Sequence, residues 1–445
     1  MPWIVGWFLN LVYSGLLLTV SPLLIYRRIR HGKYRGGWRE KLTGSLTRRF
    51  PDRRCIWFHA VSVGEVLQLQ KVLDETQARF PDAELFVTTT TDTGYDVART
   101  KYPQHTVSYF PLDFTWGVSR ALASIKPDLV VLVELELWPN FIFQCRRRQI
   151  PLALINGRIG EKSFRGYSRA KPLMRRVLNC FQVLATQNAT FARRLQDLGG
   201  PADCLAVTGN IKFDRVESDR NNPRTTELRR AFGIKPDEQV LIAGSTQSPE
   251  EMYALDAWRI LRKDFPKLRL ILVPRHKERF DEVAELVHQR GVPLVRRTES
   301  TTALDATVCE NPTSPVLLLD TLGELAACWG LADIAFVGGS LTNRGGQNML
   351  EPAGYGAAIL FGPNTWNFKE ITEALLSRQA ARVVRDPDEM LRTLRDLLEH
   401  PDQARQMGSI ARQFVSEQQG ATVRTVDLIA RLIPTQIPDC SVRAA

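Results

Sequence analysis

The sequence lacks the cysteine and histidine patterns that mark disulfide scaffolds and metal sites. Its 445 residues include seven scattered cysteines without a C-x-x-C pair, and six histidines without an H-x-x-H or H-x-x-x-H pair. An odd number of dispersed thiols is typical of a reducing compartment, and no metal site is predicted. The sequence also contains no G-x-G-x-x-G and no G-x-x-x-x-G-K-[ST] segment, which disfavours dinucleotide-binding and P-loop proteins.

Net positive charge is confined to two segments of the chain. The net charge is +11, but residues 27–54 hold eleven basic and two acidic side chains, and residues 157–176 hold seven basic and one acidic. The remainder is therefore slightly acidic. Such local charge favours docking onto an anionic surface. The basic and aromatic stripes of nucleic-acid-binding proteins are missing, so we expect no nucleic-acid partner.

Charged side chains are absent from residues 2–26. As a helix this segment would be about 37 Å long, enough to cross a hydrocarbon core of about 30 Å. The basic cluster that begins at Arg27 follows the apolar run, which predicts that the bulk of the chain lies in the cytoplasm. A cleaved signal peptide and a helix lying on the membrane surface are the alternatives.

From Cys55 onward, short apolar runs alternate with helix-length segments, a pattern typical of parallel sheets with crossover helices. Strands are predicted at 55–61, 84–90, 106–110, 129–136, 151–156, 182–186 and 204–208, and again at 240–244, 269–273, 293–296, 316–320, 334–338 and 358–361. Helices are predicted near the end of the chain, at 387–399 and 402–432.

This pattern predicts an α/β protein with two doubly wound, Rossmann-like units facing a cleft. We expect a membrane anchor (1–26), a basic juxtamembrane segment (27–54), a first unit (55–213), a linker (214–228), a second unit (229–414) and a C-terminal helix and tail (415–445). Ligands of such folds bind outside the carboxyl ends of the strands.

Polar residues gather where the predicted strands of the first unit end. Glu65 opens the helix after the first strand, where the helix dipole favours a carboxylate. It is a candidate general base, although a lone glutamate at this position is more often part of a helix cap. Strand alternation would place Glu134 and Glu136 on one face. Lys212, beside the linker, is a candidate contact for an anionic substrate.

The second unit carries small and hydroxyl residues at the corresponding places. Ser245 and Thr246 follow its first strand, and glycine clusters follow later strands. Free backbone amides of this kind are suited to phosphate groups. The Glu351 carboxylate near the last cluster is suited to ribose hydroxyls. A single glycine cluster is more often a simple turn, but here the clusters recur strand after strand.

Ten motifs, taken in their order along the chain, resemble those of the 3-deoxy-D-manno-octulosonic acid (Kdo) transferases, and the likeness covers essentially the whole chain. They are SVGE, ELELWPN, NGRIGEKSFRGY, GNIKFD, AGST, PRH, DTLGEL, FVGGSL, GGQNMLEPA and GPNTWNF. The resemblance implies a GT-B glycosyltransferase that moves Kdo, with inversion, from CMP-Kdo to the lipid A precursor lipid IVA. It also implies that the enzyme acts at the cytoplasmic face of the inner membrane and requires no metal or other cofactor.

The resemblance also implies roles for individual residues. Glu65 resembles the general base, and Glu134 and Lys212 match positions that stabilise the transition state, with Glu136 as a second acidic candidate. The first unit would bind the acceptor and the second CMP-Kdo. The residues that match nucleotide-binding motifs are Ser245, Thr246, Pro274, Arg275, Gly323, Glu324, Leu325, Asn348, Met349, Leu350 and Glu351.

The chain departs from the family pattern at two positions where histidine is usual. Gln247 and Gln347 stand there instead, and glutamine donates a neutral hydrogen bond but cannot become cationic. Within the second basic segment, the basic residues from Lys162 to Arg176 alternate with apolar residues, so this stretch is a candidate to meet the phosphates and acyl chains of a glycolipid. Its alternative is a solvated basic helix face.

Three other functions compete with Kdo transfer. They are transfer from a different nucleotide sugar by the same fold, nucleotide-sugar epimerisation, and membrane-tethered nucleic-acid binding. The ordered motifs disfavour the first two, and the missing basic and aromatic stripes disfavour the third.

Overall fold

The computed structural model describes residues 2–31, 36–299 and 314–433. Lys33 and Arg35 of the basic segment, Cys309, and the tail from 434 onward lie outside the described residues. The chain divides into two compact units. One consists of Met1–Arg215 together with Gln418–Ala445, and the other of Val216–Glu417.

The first unit contains a seven-stranded parallel sheet in the order β3-β2-β1-β4-β5-β6-β7. Its strands are β1 (Cys55–His59), β2 (Glu84–Thr89), β3 (Thr106–Tyr109), β4 (Leu129–Val133), β5 (Leu152–Gly157), β6 (Val183–Thr186) and β7 (Leu205–Val207). Its helices up to this point in the chain are α1 (Pro2–His31), α2 (Trp38–Thr43), α3 (Val63–Arg79), α4 (Asp92–Lys101), α5 (Thr115–Ile125), α6 (Pro139–Arg147), α7 (Glu161–Ser168), α8 (Lys171–Leu178) and α9 (Ala189–Asp197).

The second unit contains another seven-stranded parallel sheet, in the order β10-β11-β9-β8-β12-β13-β14. Its strands are β8 (Gln239–Thr246), β9 (Leu268–Pro274), β10 (Leu294–Arg296), β11 (Val316–Leu318), β12 (Ile334–Val337), β13 (Ala358–Phe361) and β14 (Ala381–Val383). Its helices are α10 (Pro223–Ala231), α11 (Glu250–Leu261), α12 (Phe280–Gln289), α13 (Leu325–Cys328), α14 (Leu350–Tyr355), α15 (Lys369–Ser377), α16 (Pro387–Glu399) and α17 (Pro401–Gln418).

Strand β4 shows why these sequences form central parallel strands. All five of its residues are buried, because helices cover both faces of the sheet. Val130 and Leu132 belong to the hydrophobic core on one face, whereas Leu129, Val131 and Val133 belong to the core on the other. Successive apolar side chains, which point to opposite faces of a strand, therefore fill both layers of the core.

Every predicted strand is present, most with ends shifted by one or two residues. One strand was missed, the short β14, whose three residues offer too little pattern to recognise. The largest boundary error concerns 129–136, because β4 ends at Val133 and Glu134 has a positive φ of 59°. The prediction that Glu134 and Glu136 share a strand face is therefore wrong.

The segments around the boundary between the units also differ from expectation. Residues 214–228, expected to form an irregular linker, include the start of α10 at Pro223. The single helix expected at 402–432 is interrupted at Gly420, which has a φ of 84°, so that α17 is followed by a separate α18 (Ala421–Ala430).

The last helix, α18, packs in the first unit. Its residues Ala421, Val426 and Ile429 share a buried core with Leu69 of α3. The Asp214 carboxylate accepts hydrogen bonds from the backbone N–H groups of Gly420 (2.6 Å) and Thr422 (2.5 Å). Helix α18 is thus a structural part of the unit that contains the first sheet.

Candidate active site

Glu65 is held by the loop that connects β1 to α3. Its backbone N–H donates to Ser62 Oγ at 3.3 Å, and its carboxylate accepts from Val61 N (2.9 Å), Ser62 N (3.3 Å) and Ser62 Oγ (2.7 Å). This is a capping box, which satisfies backbone donors at the start of the helix. The side chain is therefore both an N-terminal cap and a precisely oriented carboxylate.

Two further glutamates follow β4 and lie close to Glu65. Burial raises the pKa of Glu134, and the charge of Glu65 raises it further, whereas Arg158 and Lys212 oppose the shift. Burial likewise raises the pKa of Glu136 to about 7, again with a contribution from Glu65. The structure thus brings Glu65, Glu134 and Lys212 together at the carboxyl edge of the first sheet, as expected of a ligand site in this fold.

Trp138 and Tyr167 border Glu136. The Trp138 indole Nε1 donates to the Glu136 carboxylate at 3.0 Å, which favours the ionised form and partly offsets burial. The pKa of Tyr167 on α7 is raised by burial and then by the charge of Glu136. Helix α7, which carries part of the second basic segment, therefore reaches the acidic cluster.

Sequence reasoning missed three amides that position Lys212. Asn156, with a positive φ of 53°, accepts from Ile211 N at 3.2 Å through its side-chain oxygen. The Gln187 side chain donates to Asn156 O (3.1 Å) and accepts from Asn210 Nδ2 (2.9 Å). Asn210 Oδ1 accepts from the backbone N–H of Lys212 at 3.0 Å. Asn-Gly at the end of β5 and Gly-Asn after β7 were the available signals, since both mark strand ends.

Helices α7 and α8 carry their basic side chains on the exposed side and their apolar side chains on the side that faces the core. Arg165, Arg169 and Arg175 are exposed. Phe164 and Tyr167 pack against the core instead, as do the neighbouring Leu173 and Met174. Met174 is buried, and Phe164, Tyr167 and Leu173 are partly buried. Packing inside the unit therefore uses much of their apolar surface, and their contact with acyl chains stays a prediction.

In the second unit a buried carboxylate occupies the amides of a glycine-rich turn. Glu250 accepts from the backbone N–H groups of Gly339 (2.7 Å), Ser340 (3.0 Å), Leu341 (2.9 Å) and Gln247 (2.9 Å). Burial raises the pKa of Glu250, and these amides oppose that shift. The turn after β12 therefore uses its donors within the protein, and Glu250 ties it to the loop after β8.

The small side chains at this place are required by packing. A Cβ on Gly338 would lie 2.5 Å from Thr246 Cα and 2.8 Å from Glu250 Oε2, distances too short for any larger residue. Ser245 has a positive φ of 54°, and buried Thr246 donates through Oγ1 to Val273 O at 3.4 Å. Thr246 O accepts from the backbone N–H of Arg275 at 3.0 Å. The Arg275 side chain is exposed at the carboxyl end of β9.

The remaining predicted nucleotide residues divide into polar and packing groups. Glu324 accepts from Thr321 Oγ1 and pairs with Arg297 at 3.1 Å. Asn348 Nδ2 donates to Glu351 Oε1 at 2.9 Å. Met349 and Leu350 are buried, and their side chains therefore serve the core.

Three other positions complete this group. Pro274 ends β9, and Gly323 supplies a φ of 88° just before Glu324 and Leu325. Gln347 lies beside Gly339, where an added Cβ would come within 3.3 Å of its Nε2. Among the described residues, no group of three or more His, Cys, Asp or Glu side chains is arranged to hold a metal ion.

Comparison with known proteins shows the family of this chain. Residues 36–215 match a family model described as 3-deoxy-D-manno-octulosonic-acid transferase. A protein named 3-deoxy-D-manno-octulosonic acid transferase from Haemophilus influenzae is 32% identical over 423 residues, which cover 94% of this chain and 97% of that relative. The chain belongs to the Kdo transferase family. A relative of the same name from Bordetella pertussis is 29% identical over 434 residues, covering 94% and 98%.

Solved structures of low sequence identity show the fold of this Kdo transferase family member. UDP-GlcNAc 2-epimerase from Neisseria meningitidis matches with a TM-score of 0.55 and 13% identity over 85% of this chain and all of that chain. MurG from Acinetobacter baumannii matches with a TM-score of 0.52 and 16% identity, over 85% and 99%. The GT-B fold class and the resemblance to Kdo transferases are confirmed, and the protein is a glycosyltransferase.

Proposed function

We propose that this enzyme transfers Kdo from CMP-Kdo to lipid IVA with inversion at the anomeric carbon. Membership of the Kdo transferase family supports Kdo as the transferred sugar. The observation that carries the proposal is the cluster of Glu65, Glu134 and Glu136 with Arg158 and Lys212 at the carboxyl edge of the first sheet. A carboxylate base beside cations suits a reaction in which a hydroxyl attacks a negatively charged sugar donor.

Glu65 is the proposed general base. An acceptor hydroxyl oxygen forms a bond to the anomeric carbon of Kdo while its proton passes to the Glu65 carboxylate. The bond from the anomeric carbon to the phosphate of CMP breaks, and CMP leaves with the electron pair. Val61 N, Ser62 N and Ser62 Oγ donate hydrogen bonds to the Glu65 carboxylate, and the loop therefore holds the carboxylate in a fixed orientation.

Lys212 and Glu134 are the proposed stabilising residues. The donor carries a carboxylate beside its anomeric carbon and a phosphate leaving group. Because both groups are anionic, a nearby positive charge stabilises them. The amide network of Asn156, Gln187 and Asn210 fixes the backbone at Lys212, which supports a preorganised cation. Glu134 interacts electrostatically with both Lys212 and Glu65, and Glu136 is the second acidic candidate.

The nucleotide is proposed to bind at the carboxyl edge of the second sheet. Exposed Arg275 and the hydroxyl of Ser245 are the groups proposed near the phosphate. The linked side chains of Asn348 and Glu351 are proposed to meet the ribose, and the backbone of residues 323–325, 349 and 350 lines the same site. Thr246 and Pro274 support this edge through packing.

We further propose that α1 holds the enzyme at the cytoplasmic face of the inner membrane, where lipid IVA and anionic lipids are available. Among the described residues, one helix has a stretch long and apolar enough to cross a membrane, Gly6–Arg30. The exposed Arg165, Arg169 and Arg175 are proposed to contact phosphate groups of the acceptor.

Mass spectrometry of the product tests the reaction. The full chain is incubated in detergent with lipid IVA and either CMP-Kdo or a UDP-sugar. We expect Kdo-bearing lipid with CMP-Kdo and no product with UDP-sugars. Transfer from a UDP-sugar alone would instead support the second candidate, a GT-B transferase with a different donor, and would overturn the Kdo proposal.

A further inference from the structure

The first half of α1 docks on the first unit through an asparagine. Asn10 Nδ2 donates to Thr115 Oγ1 at 2.7 Å, and Asn10 Oδ1 accepts from the Thr115 backbone N–H at 3.1 Å and from Asn140 Nδ2 at 3.3 Å. Asn10 is 4% exposed. Because both ends of its amide are used against the unit, this is a specific contact rather than a loose apolar one.

A second polar contact lies one helical turn further along. The Tyr13 hydroxyl donates to Asp113 Oδ2 at 3.1 Å. The Asp113 carboxylate also accepts from the backbone N–H groups of Asn140 (3.0 Å) and Phe141 (2.8 Å), which begin α6. Asn10 and Tyr13 lie three residues apart and share one face of α1, so the docked face is continuous.

The chain that follows the apolar segment returns to the same place. The Trp116 indole Nε1 donates to Leu42 O at 3.2 Å. At Gly44, an added Cβ would collide with the backbone of Gly117. Asn10 and Leu42 therefore contact Thr115 and Trp116, two consecutive residues in the first turn of α5.

This arrangement conflicts with a bilayer crossing by α1. A crossing would hold the two ends of the apolar segment about 30 Å apart on opposite sides of the hydrocarbon core. With Tyr13 docked, the uncharged residues left are 14–26, which rise about 20 Å as a helix. A full crossing would have to undock Asn10 and Tyr13, leaving Asp113 and Asn140 without these partners.

We propose that α1 lies within one leaflet with both of its ends on the cytoplasmic side, and that the α5–α6 edge of the first unit rests on the membrane beside it. The exposed side chains of Trp7, Phe8, Leu11, Leu16 and Leu18 enter the boundary between headgroups and acyl chains.

Exposed Arg28, Arg30 and Arg39 meet anionic headgroups. Not every basic residue of the segment is available for this purpose. Lys41 and Arg48 have buried side chains that pair with Asp92 and Glu84.

Disulfide formation in native membranes tests the docked position. A Cβ at Gly6 would lie 3.1 Å from Thr115 Cγ2, so Gly6→Cys with Thr115→Cys places two thiols within bridging distance. Inverted inner-membrane vesicles carrying this full-length double variant are oxidised, and the disulfide-linked peptides containing residues 6 and 115 are quantified by mass spectrometry. The matched control is Gly15→Cys with Thr115→Cys, since an added Cβ at Gly15 has no atom within 4 Å.

We expect about tenfold more linked peptide from the residue 6 pair than from the residue 15 pair. Equal, low yields from both pairs would overturn the proposal, because a crossing helix carries residue 6 to the far side of the bilayer. A second measurement does not depend on the cysteine variants. A protease site placed before Met1 should be cut in inverted vesicles and resist cleavage in spheroplasts, and the reverse result would also overturn the proposal.

This inference rests on the proposed membrane location of the enzyme and is independent of the proposed reaction. A failed transfer assay would leave the cross-linking result standing. A spanning helix would likewise leave Kdo transfer untouched.

Discussion

Burial raises the pKa of Glu134 and the charge of Glu65 raises it further, although Glu65 lies in the first turn of α3 and Glu134 follows β4. The Glu65 carboxylate is fixed by a helix cap, and that of Glu134 sits where β4 ends in a residue with positive φ. A non-glycine residue in this conformation is uncommon and tends to occur where surrounding structure enforces it. The pair, with Lys212 and Arg158 nearby, defines the part of the protein in which we expect the chemistry.

Substitution of Glu65 can separate catalysis from capping. Glu65→Ala should lower kcat by about a hundredfold or more, because a general base is lost. It should also lower the free energy of unfolding by about 1 kcal/mol, because the cap is lost. Glu65→Gln keeps one acceptor oxygen, but its NH2 group would face one of the two backbone N–H groups that the carboxylate accepts from, so it should lose the same activity with a smaller loss of stability than Glu65→Ala. Rapid-quench kinetics and urea unfolding measure the two quantities, and an active Glu65→Gln enzyme would exclude the base role.

Glu136 should make stability depend on pH. Its pKa of about 7 in the folded protein is above the ordinary value of 4.5, so the folded state binds more protons than the unfolded state between these values. Stability should therefore fall as pH rises from 5 to 8. Glu136→Gln should make the decrease in the free energy of unfolding between pH 5 and pH 8 smaller by about 1 kcal/mol, after allowance for solvent screening. Urea unfolding at both pH values checks this, with Glu373→Gln, at an exposed helix position, as the control expected to show no difference.

The amide network should act on catalysis through Lys212. Lys212→Met should lower kcat about a hundredfold, as expected when a transition-state charge contact is removed. Asn210→Ala should lower kcat about tenfold with KM for CMP-Kdo nearly unchanged, because the backbone N–H of Lys212 loses its acceptor while the ammonium remains. Asn210→Asp keeps that acceptor and should recover part of the rate. Steady-state kinetics would argue against positioning if both Asn210 variants matched the wild type.

Glu250 should be important for folding of the second unit. Glu250→Ala leaves four backbone donors without their acceptor, so we expect a loss of about 3 kcal/mol or more in the free energy of unfolding. Thermal and urea unfolding of the full chain measure this. Glu251→Ala is unsuitable as a control because Glu251 is also buried and paired with Arg279. The exposed Glu373→Ala serves instead and should change stability by less than about 0.5 kcal/mol.

The basic face of α7 and α8 should affect acceptor binding. Reversal of Arg165, Arg169 and Arg175 to Glu should raise KM for lipid IVA in detergent at least about tenfold, because three attractive charges become repulsive toward phosphate. The KM for CMP-Kdo should stay unchanged. A matched triple reversal at exposed Arg224, Arg230 and Arg392 of the second unit alters net charge equally and should leave acceptor KM unaltered. An equal effect in both triples would assign the change to net charge alone.

Some features of the candidate site were predictable because local chemistry determines them. Ser62 and Glu65 are spaced as a capping box, and the glycine and asparagine pairs mark strand ends. The buried Glu250 was not singled out, because a glutamate in the first turn of a helix is common. Its role depends on a turn about 90 residues later in the chain. A local sequence pattern cannot predict a contact between residues so far apart in the chain.

The sequence by itself determined the two runs of parallel strands, the family-specific motifs and the apolar N-terminal helix, because side-chain periodicity and local turn chemistry act over a few residues. Tertiary structure alone decided where β4 stops, which amides hold Lys212, and that α18 returns to Asp214 over about 206 residues. It also decided that Asn10 meets Thr115. These features depend on contacts between distant segments, whose formation is governed by packing of the whole unit rather than by any local pattern.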